Sequence, residues 1–227
     1  VGGTEASDDE LALAFETIER ARGDTTLTYF EFSTLAALLV FRRRGVAAQV
    51  LEVGLGGRLD ATNLVDADVA VLCSVGADHH EWLGPTLEDI GREKAGIFRR
   101  GRPAVLGTSR LPASVFTEIE RIGAVARTAR RDFDWEIHGE RWEWRSARRT
   151  LADLPRPALA GATQFGNAAT AIAALDASTL AVSREAVAQG LGQVRLQGRF
   201  QIVPGEVEWI LDVAHNPHAA AHLAVNL

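Results

Sequence analysis

Apolar positions in the first hundred residues fall into two alternating kinds of segment. Ser7, followed three residues later by Glu10, has the spacing of a capping box, in which side chains and backbone satisfy each other at a helix start. Leu11, Leu13, Phe15 and Ile18 follow and Gly23 ends the pattern, so a helix is expected between them. Phe32 to Arg44 reads as a second helix, closed by Gly45. Val50 to Val53 and Val69 to Val75 are short apolar runs, the pattern of buried strands covered on both faces. Thr86 to Phe98 reads as a helix with Thr86 and Asp89 at its start, Arg102 to Gly107 as a strand, and Pro112 to Ile122 as a helix. Strands alternating with helices predict an α/β fold around a parallel sheet with flanking helices.

The pattern changes over 124–150. Trp135, Trp142, Trp144 and a run of arginines alternate around the turn His138-Gly139, which predicts a small antiparallel hairpin. A basic, aromatic stretch is also the composition of a nucleic-acid platform, but a two-faced hairpin produces it through ordinary alternation. LPRPAL serves as a short extended connection, Gln164 to Ser178 as an alanine-rich helix, and Ser183 to Gln193 as another helix. GRFQIV and VEWILDV then read as two strands around Pro204-Gly205, and this shift marks a domain boundary near residue 196. The expected division is a ligand-binding α/β domain over 1–195 and the start of a second domain over 196–227.

Charge narrows the partners. With 24 basic and 30 acidic residues the net charge is −6, which gives no reason to expect nucleic acid or an anionic membrane surface. No apolar run approaches the roughly 18 residues of a membrane span, and the protein reads as cytoplasmic. Cys73, the single cysteine, excludes a disulfide framework and is expected to be a small buried residue in a strand. The chain contains no methionine, opens on VGGTEAS and stops at AAAHLAVNL within a helical pattern, so a piece of a longer protein is expected.

Three segments at strand ends or just beyond carry candidate chemistry: Glu52, the group Asp78-His79-His80, and Lys94. Ligands in open α/β sheets collect outside the carboxyl ends of strands. A carboxylate and an imidazole, with the other positions left to water and phosphate oxygens, suit Mg²⁺ or Mn²⁺. The same residues near loops also fit a solvated surface, and a lysine on a helix fits a snorkelling one. The glycines of LEVGLGGRLDATN match neither G-x-G-x-x-G nor the P-loop, which is absent from the chain. Their expected use is to turn the backbone so as to present Arg58 and Asp60. Further on, Asp212 ends a strand, and Arg199 stands at the domain junction, where it fits either a phosphate contact or an interdomain ion pair.

Taken in order, LTYFEF, LEVGLGGRLDATN, GADHHEWLGPTLEDIGREKAGIF, NAATAIAAL, LQGRF and DVAHNPHAA resemble the bacterial dihydrofolate synthase/folylpolyglutamate synthases. These belong to the Mur-ligase superfamily of ATP-dependent amide-forming ligases. The resemblance runs over nearly the whole chain and is weakest over 108–160. It implies an incomplete P-loop-type central domain followed by the first elements of a Rossmann-like, glutamate-binding domain. It implies a ligase, a monomer, that joins L-glutamate to dihydropteroate or folates through an acyl phosphate, with ATP as substrate and one or two Mg²⁺. By the same resemblance Glu52 and His79 bind Mg²⁺, and Lys94 is carbamylated. Thr28, Tyr29, Phe30, Glu31, Leu59, Asp60 and Ala61 match positions that contact the pterin, and Asn167, Arg199 and Asp212 match positions that contact ATP. The roles of His80 and His215 are left open.

Two departures bear on this. The family's P-loop and its serine metal ligand would lie upstream of VGGTEAS, so the 227-residue chain alone is expected to bind ATP weakly and not turn over. The segment LQGR also lacks the proline expected before its glycine. A non-catalytic pterin- or protein-binding module on the same scaffold, and a peptidoglycan Mur-type ligase, are the alternative readings.

Overall fold

The computed structural model describes residues 1–215 and 217–226, and of 217, 218, 222, 225 and 226 the backbone only. Asn216, within the DVAHNPHAA motif, lies outside the described residues. The chain divides into two compact units, Val1–Asp66 and Ala67–Leu227.

Helices α1 (Asp8–Arg22) and α2 (Tyr29–Arg44) build the first unit around Ala14, Ile18, Ala36 and Val40. The predicted capping box forms at Ser7 and Glu10. Glu10 also accepts from Nε of Arg44 at 2.7 Å, which ties the start of α1 to the end of α2. That guanidinium, with the Ser7 backbone N–H, lowers the Glu10 carboxyl to about 2. Helix α2 begins three residues before the hydrophobic pattern suggests, because Thr28 and Glu31 form a second capping box. The expected strand over Val50–Val53 is absent: the segment has no regular structure, and Val50 is 95% exposed. A strand must hand its N–H and C=O groups to a neighbour, and among the described residues none runs beside this one.

The second unit holds the predicted parallel sheet, in the order β1 (Ala70–Leu72), β2 (Pro103–Leu106), β3 (Val125–Thr128). Ala104 and Leu106 face helices α4 (Leu87–Ala95) and α5 (Ala113–Ile122), where Ala95, Val115 and Ile119 complete a core. Val105 points the other way, into a second core. This alternation along β2 covers the sheet on both faces, as its apolar sequence requires. A short helix, α3 (His80–Leu83), lies between β1 and α4. Cys73 is exposed rather than buried: β1 ends at Leu72, whose side chain points inward, so the next side chain points out.

The second core is closed by an antiparallel sheet of β4 (Phe133–His138), β5 (Arg141–Ser146) and β6 (Thr150–Pro155), with α6 (Thr163–Ala177) and α7 (Arg184–Gln193) against it. The hairpin is present, but its turn is Gly139-Glu140, and a third strand that the pattern does not announce, Thr150–Pro155, pairs with it and overlaps the expected connection LPRPAL only at Leu154 and Pro155. Trp142 and Trp144 are fully buried, donating Nε1–H to Pro155 O at 2.7 Å and to Ala169 O at 3.0 Å. Neither ring is available for stacking on a base. Arg130 lies 3.5 Å over the Trp135 ring and pairs with Asp134, so this part of the basic, aromatic pattern resolves into core tryptophans and sheet-surface ion pairs. The two late strands form an antiparallel ribbon, β7 (Gln201–Val203) and β8 (Trp209–Leu211), followed by α8 (Pro217–Asn226).

Candidate functional site

In the first unit the glycine-rich stretch is organised by Asp60. Its Oδ2 accepts the N–H groups of Gly54 and Leu55, both at 3.0 Å. Its Oδ1 accepts Thr62 N at 2.9 Å and Thr62 Oγ1 at 2.7 Å, which starts the 3₁₀ turn Ala61–Leu64. A carboxylate thus occupies the amides that a phosphate would need, and the loop holds itself closed. Asp60 points into the loop, whereas Arg58 is exposed. Phe30 lies against this loop so closely that a Cβ at Gly54 would stand 2.7 Å from its Cζ. The LTYFEF and LEVGLGG motifs are therefore packed together. Thr28 and Glu31 bond to each other in the α2 cap, leaving Tyr29 and Leu59 as apolar surface, 89% and 80% exposed. Glu52 is exposed in the irregular segment just before Gly54, and Ala61 is half-buried at the start of the 3₁₀ turn.

In the second unit the loop after β1 carries Asp78, His79 and His80. His79 has φ 53° and ψ 38°, the left-handed region, which costs a non-glycine residue on the order of 1 kcal/mol. Its N–H donates to Asp78 Oδ1 at 2.8 Å, and its ring is 52% exposed. His80 Nδ1 contacts Gly84 O at 3.2 Å, so this imidazole is engaged inside its own turn. Gly84 has φ 105°, and a Cβ there would stand 2.5 Å from Asp89 Cβ; only glycine allows so tight a passage from α3 into α4.

Helix α4 presents Lys94. Thr86 and Asp89 form the capping box at its start, as the sequence predicts. Glu88 reaches from α4 to the start of α5, accepting Ala113 N at 3.1 Å and Ser114 N at 2.7 Å. This fills the cap that Pro112 cannot supply, and it fixes α4 against α5. Lys94 is half-buried, and its pKa is lowered by that burial, with the Asp78 carboxylate opposing the shift in part. It is the only lysine in the chain; all other basic side chains among the 24 are arginine. That singularity is visible in the sequence and is a signal that hydrophobic patterning does not supply. Glu88 is a residue that the motifs do not single out, and Asp78, within the candidate group, receives no role from the resemblance.

At the far end of the unit, Asp212 stitches two segments together. Its Oδ2 accepts Phe200 N and its Oδ1 accepts Ala214 N, both at 2.8 Å. The LQGRF and DVAH motifs are thereby joined, with Val213 N donating to Gly198 O at 2.8 Å, and Arg199 is exposed beside them. His215 Nδ1 contacts Val213 O at 2.9 Å, and its Nε2 lies 4.0 Å from Asp78 Oδ2, which brings this loop to the one after β1. Asn167 is exposed on α6, bonded to Gln164 at 3.1 Å. Among the described residues no group of three or more His, Cys, Asp or Glu side chains is placed to hold a metal ion. Among the same residues no helix is long and apolar enough to cross a membrane.

No family model matches the chain. It is 47% identical over 223 residues, 98% of its length, to the dihydrofolate synthase/folylpolyglutamate synthase of Escherichia coli (strain K12), of which it covers 52%. E. coli FolC in complex with DHPP and ADP matches with a TM-score of 0.92 at 47% identity, over 97% of this chain and 52% of that one. A bifunctional folylpolyglutamate synthase/dihydrofolate synthase with Mn, AMPPNP and L-glutamate bound matches with a TM-score of 0.89 at 47% identity, over 98% and 53%. The chain spans about half the length of the curated relatives it matches. Over nearly all of its own length, then, it is a homologue of the bacterial dihydrofolate synthase/folylpolyglutamate synthases, with their α/β fold.

Proposed function

We propose that the chain belongs to an ATP-dependent ligase that joins L-glutamate to dihydropteroate, to folates, or to both. The observation that carries this reading is 47% identity across 98% of the chain to a dihydrofolate synthase/folylpolyglutamate synthase. In the reaction, the substrate carboxylate takes the γ-phosphoryl group of ATP, giving an acyl phosphate and ADP. The amine of L-glutamate then attacks the acyl carbon, an amide forms, and phosphate leaves. The protein must hold carboxylate and phosphoryl group in line and offset the charge that gathers between them.

Glu52 and His79 are the residues we assign to Mg²⁺. Both side chains are exposed, and a carboxylate with an imidazole leaves the remaining positions to water and phosphate oxygens. When bound, the ion supplies charge neutralisation on the phosphoryl group. Lys94 is assigned as a carbamylated lysine. Burial that lowers its pKa raises the share of neutral amine, the form that attacks carbon dioxide to make an N–C bond and release a proton. Arginine keeps its proton and cannot do this, which gives a reason for a single lysine among arginines. The resulting anion helps to hold a second cation.

Thr28, Tyr29, Phe30, Glu31, Leu59, Asp60 and Ala61 are assigned to the pterin. Tyr29 and Leu59 offer apolar surface to a flat heterocycle, while Thr28, Glu31 and Asp60 hold the backbone that presents them. Asn167, Arg199 and Asp212 are assigned to ATP, with the arginine fork near phosphate. Residues 1–195 make up the ligase domain, and 196–227 begin the glutamate-binding one. We place the enzyme in the cytoplasm as a monomer acting on small molecules rather than on nucleic acid or a membrane. The test is mass spectrometry of the complete protein's products. With ATP, dihydropteroate and L-glutamate, the pterin should gain one glutamyl residue for each ADP formed. ADP formation without that product would refute the reading.

A further inference from the structure

Asp78 meets three groups that carry candidate chemistry, drawn from three places in the chain. Its Oδ1 accepts the backbone N–H of His79 at 2.8 Å. Its Oδ2 lies 3.7 Å from His79 Nε2 and 4.0 Å from His215 Nε2. Its charge also faces Lys94 on α4. We propose that Asp78 is a positioning residue, holding His79 in its left-handed backbone conformation and tying the loop after β1 to the loop after β8 that carries Asp212 and His215.

The physical case rests on the division of labour between the two carboxylate oxygens. A left-handed backbone at a non-glycine residue persists only where its surroundings over-determine it. Here Oδ1 supplies one such constraint by engaging the His79 amide, and it does so from the adjacent residue at little entropic cost. The second oxygen lies 3.7 Å from one imidazole and 4.0 Å from another on a separate loop, so its negative charge faces both and attracts either ring when it is protonated. Partners that orient a metal-binding imidazole commonly alter metal affinity by about 10- to 100-fold when removed. The inference rests on the ligase reading, because it takes His79 to be a metal ligand.

Two substitutions separate the two oxygens. Asp78→Asn keeps an acceptor for the His79 amide and replaces the second acceptor with a donor; Asp78→Ala removes both. In the complete protein with AMPPNP, Mn²⁺ affinity read by electron paramagnetic resonance should fall about tenfold in Asp78→Ala. The loss in Asp78→Asn should be smaller, and the helical circular dichroism of both variants should be unchanged. The His79 amide proton resonance should move upfield in Asp78→Ala and stay near its wild-type position in Asp78→Asn. His79→Ala is the reference. If it weakens Mn²⁺ binding while Asp78→Ala does not, the positioning role is overturned and the metal assignment stands. If His79→Ala itself leaves Mn²⁺ affinity unchanged, the metal assignment falls and takes the role of Asp78 with it. An unmoved His79 amide in Asp78→Ala would overturn the backbone half of the proposal by itself.

Discussion

The glycine-rich loop that Asp60 organises and the histidine loop after β1 are alike as sequence: each follows an apolar run and carries acidic residues among glycines or imidazoles. Folded, they differ. In the glycine-rich loop, both oxygens of Asp60 accept hydrogen bonds from the loop itself, three from backbone amides and one from Thr62 Oγ1, so the carboxylate is used internally. In the histidine loop, Asp78 accepts the His79 amide, and His79 keeps its ring about half exposed on a left-handed backbone. The glycine-rich loop is scaffold that presents its neighbours, and the histidine loop presents its own side chain. Residues of equal prominence in a motif thus divide between building a site and performing its chemistry, and hydrogen-bond accounting tells them apart.

Substitutions can break this contrast, beginning with the largest effect. His79→Ala and Glu52→Gln in the complete protein should each lower turnover by about 10²-fold or more, with folding retained, because each removes charge stabilisation of the phosphoryl group. A wild-type rate in either variant would remove its metal assignment. Asp60→Ala should act first on stability, costing on the order of 3 kcal/mol in urea unfolding monitored over the first unit, as charged acceptors are lost. Asp78→Ala should cost under about 1 kcal/mol in urea unfolding monitored over the second unit, to which Asp78 belongs; equal losses would erase the distinction between the loops.

Two smaller effects sharpen the picture. Gly54→Ala pushes a methyl group into the Phe30 ring and should cost about 1 kcal/mol, most of it recovered in a Phe30→Ala background. Glu88 tests how α4 is held. Its carboxyl is shifted below the ordinary glutamate range, chiefly by the Ser114 backbone N–H and further by that of Ala113. Since the folded value is the lower one, Glu88 contributes stability above the ordinary value of 4.5, and this is lost as pH falls through the folded value. Thermal unfolding between pH 7 and 3 should show the loss, and Glu88→Gln should flatten that part of the curve.

Local chemistry makes the helices legible. Ser7 with Glu10 and Thr86 with Asp89 announce α1 and α4, and both capping boxes form. The pair Thr28 and Glu31 carries the same signal, but the hydrophobic pattern takes hold only at Phe32, so periodicity alone starts α2 late. Non-local chemistry is not legible. Val50–Val53 has the composition of a strand, yet a strand is a relation between two segments, and one segment cannot announce its partner. Strand β6 is hidden by the prolines around it and by Asp153, whose φ of 54° interrupts its alternation. The candidate site is legible as a set of residue types through resemblance. The internal use of Asp60 and Asp212, the cap that Glu88 lends to α5 and the reach of Asp78 to His215 depend on contacts that no pattern along the chain encodes.

The most direct measurement compares His79→Ala with Asp60→Asn in the complete protein, following phosphate release that depends on both dihydropteroate and L-glutamate. The wild type should release phosphate only when both are present. His79→Ala should lose that release while unfolding at the wild-type midpoint, and Asp60→Asn should unfold earlier yet keep measurable release wherever it remains folded. Phosphate release by His79→Ala at the wild-type rate, or release that ignores either co-substrate, would contradict the account.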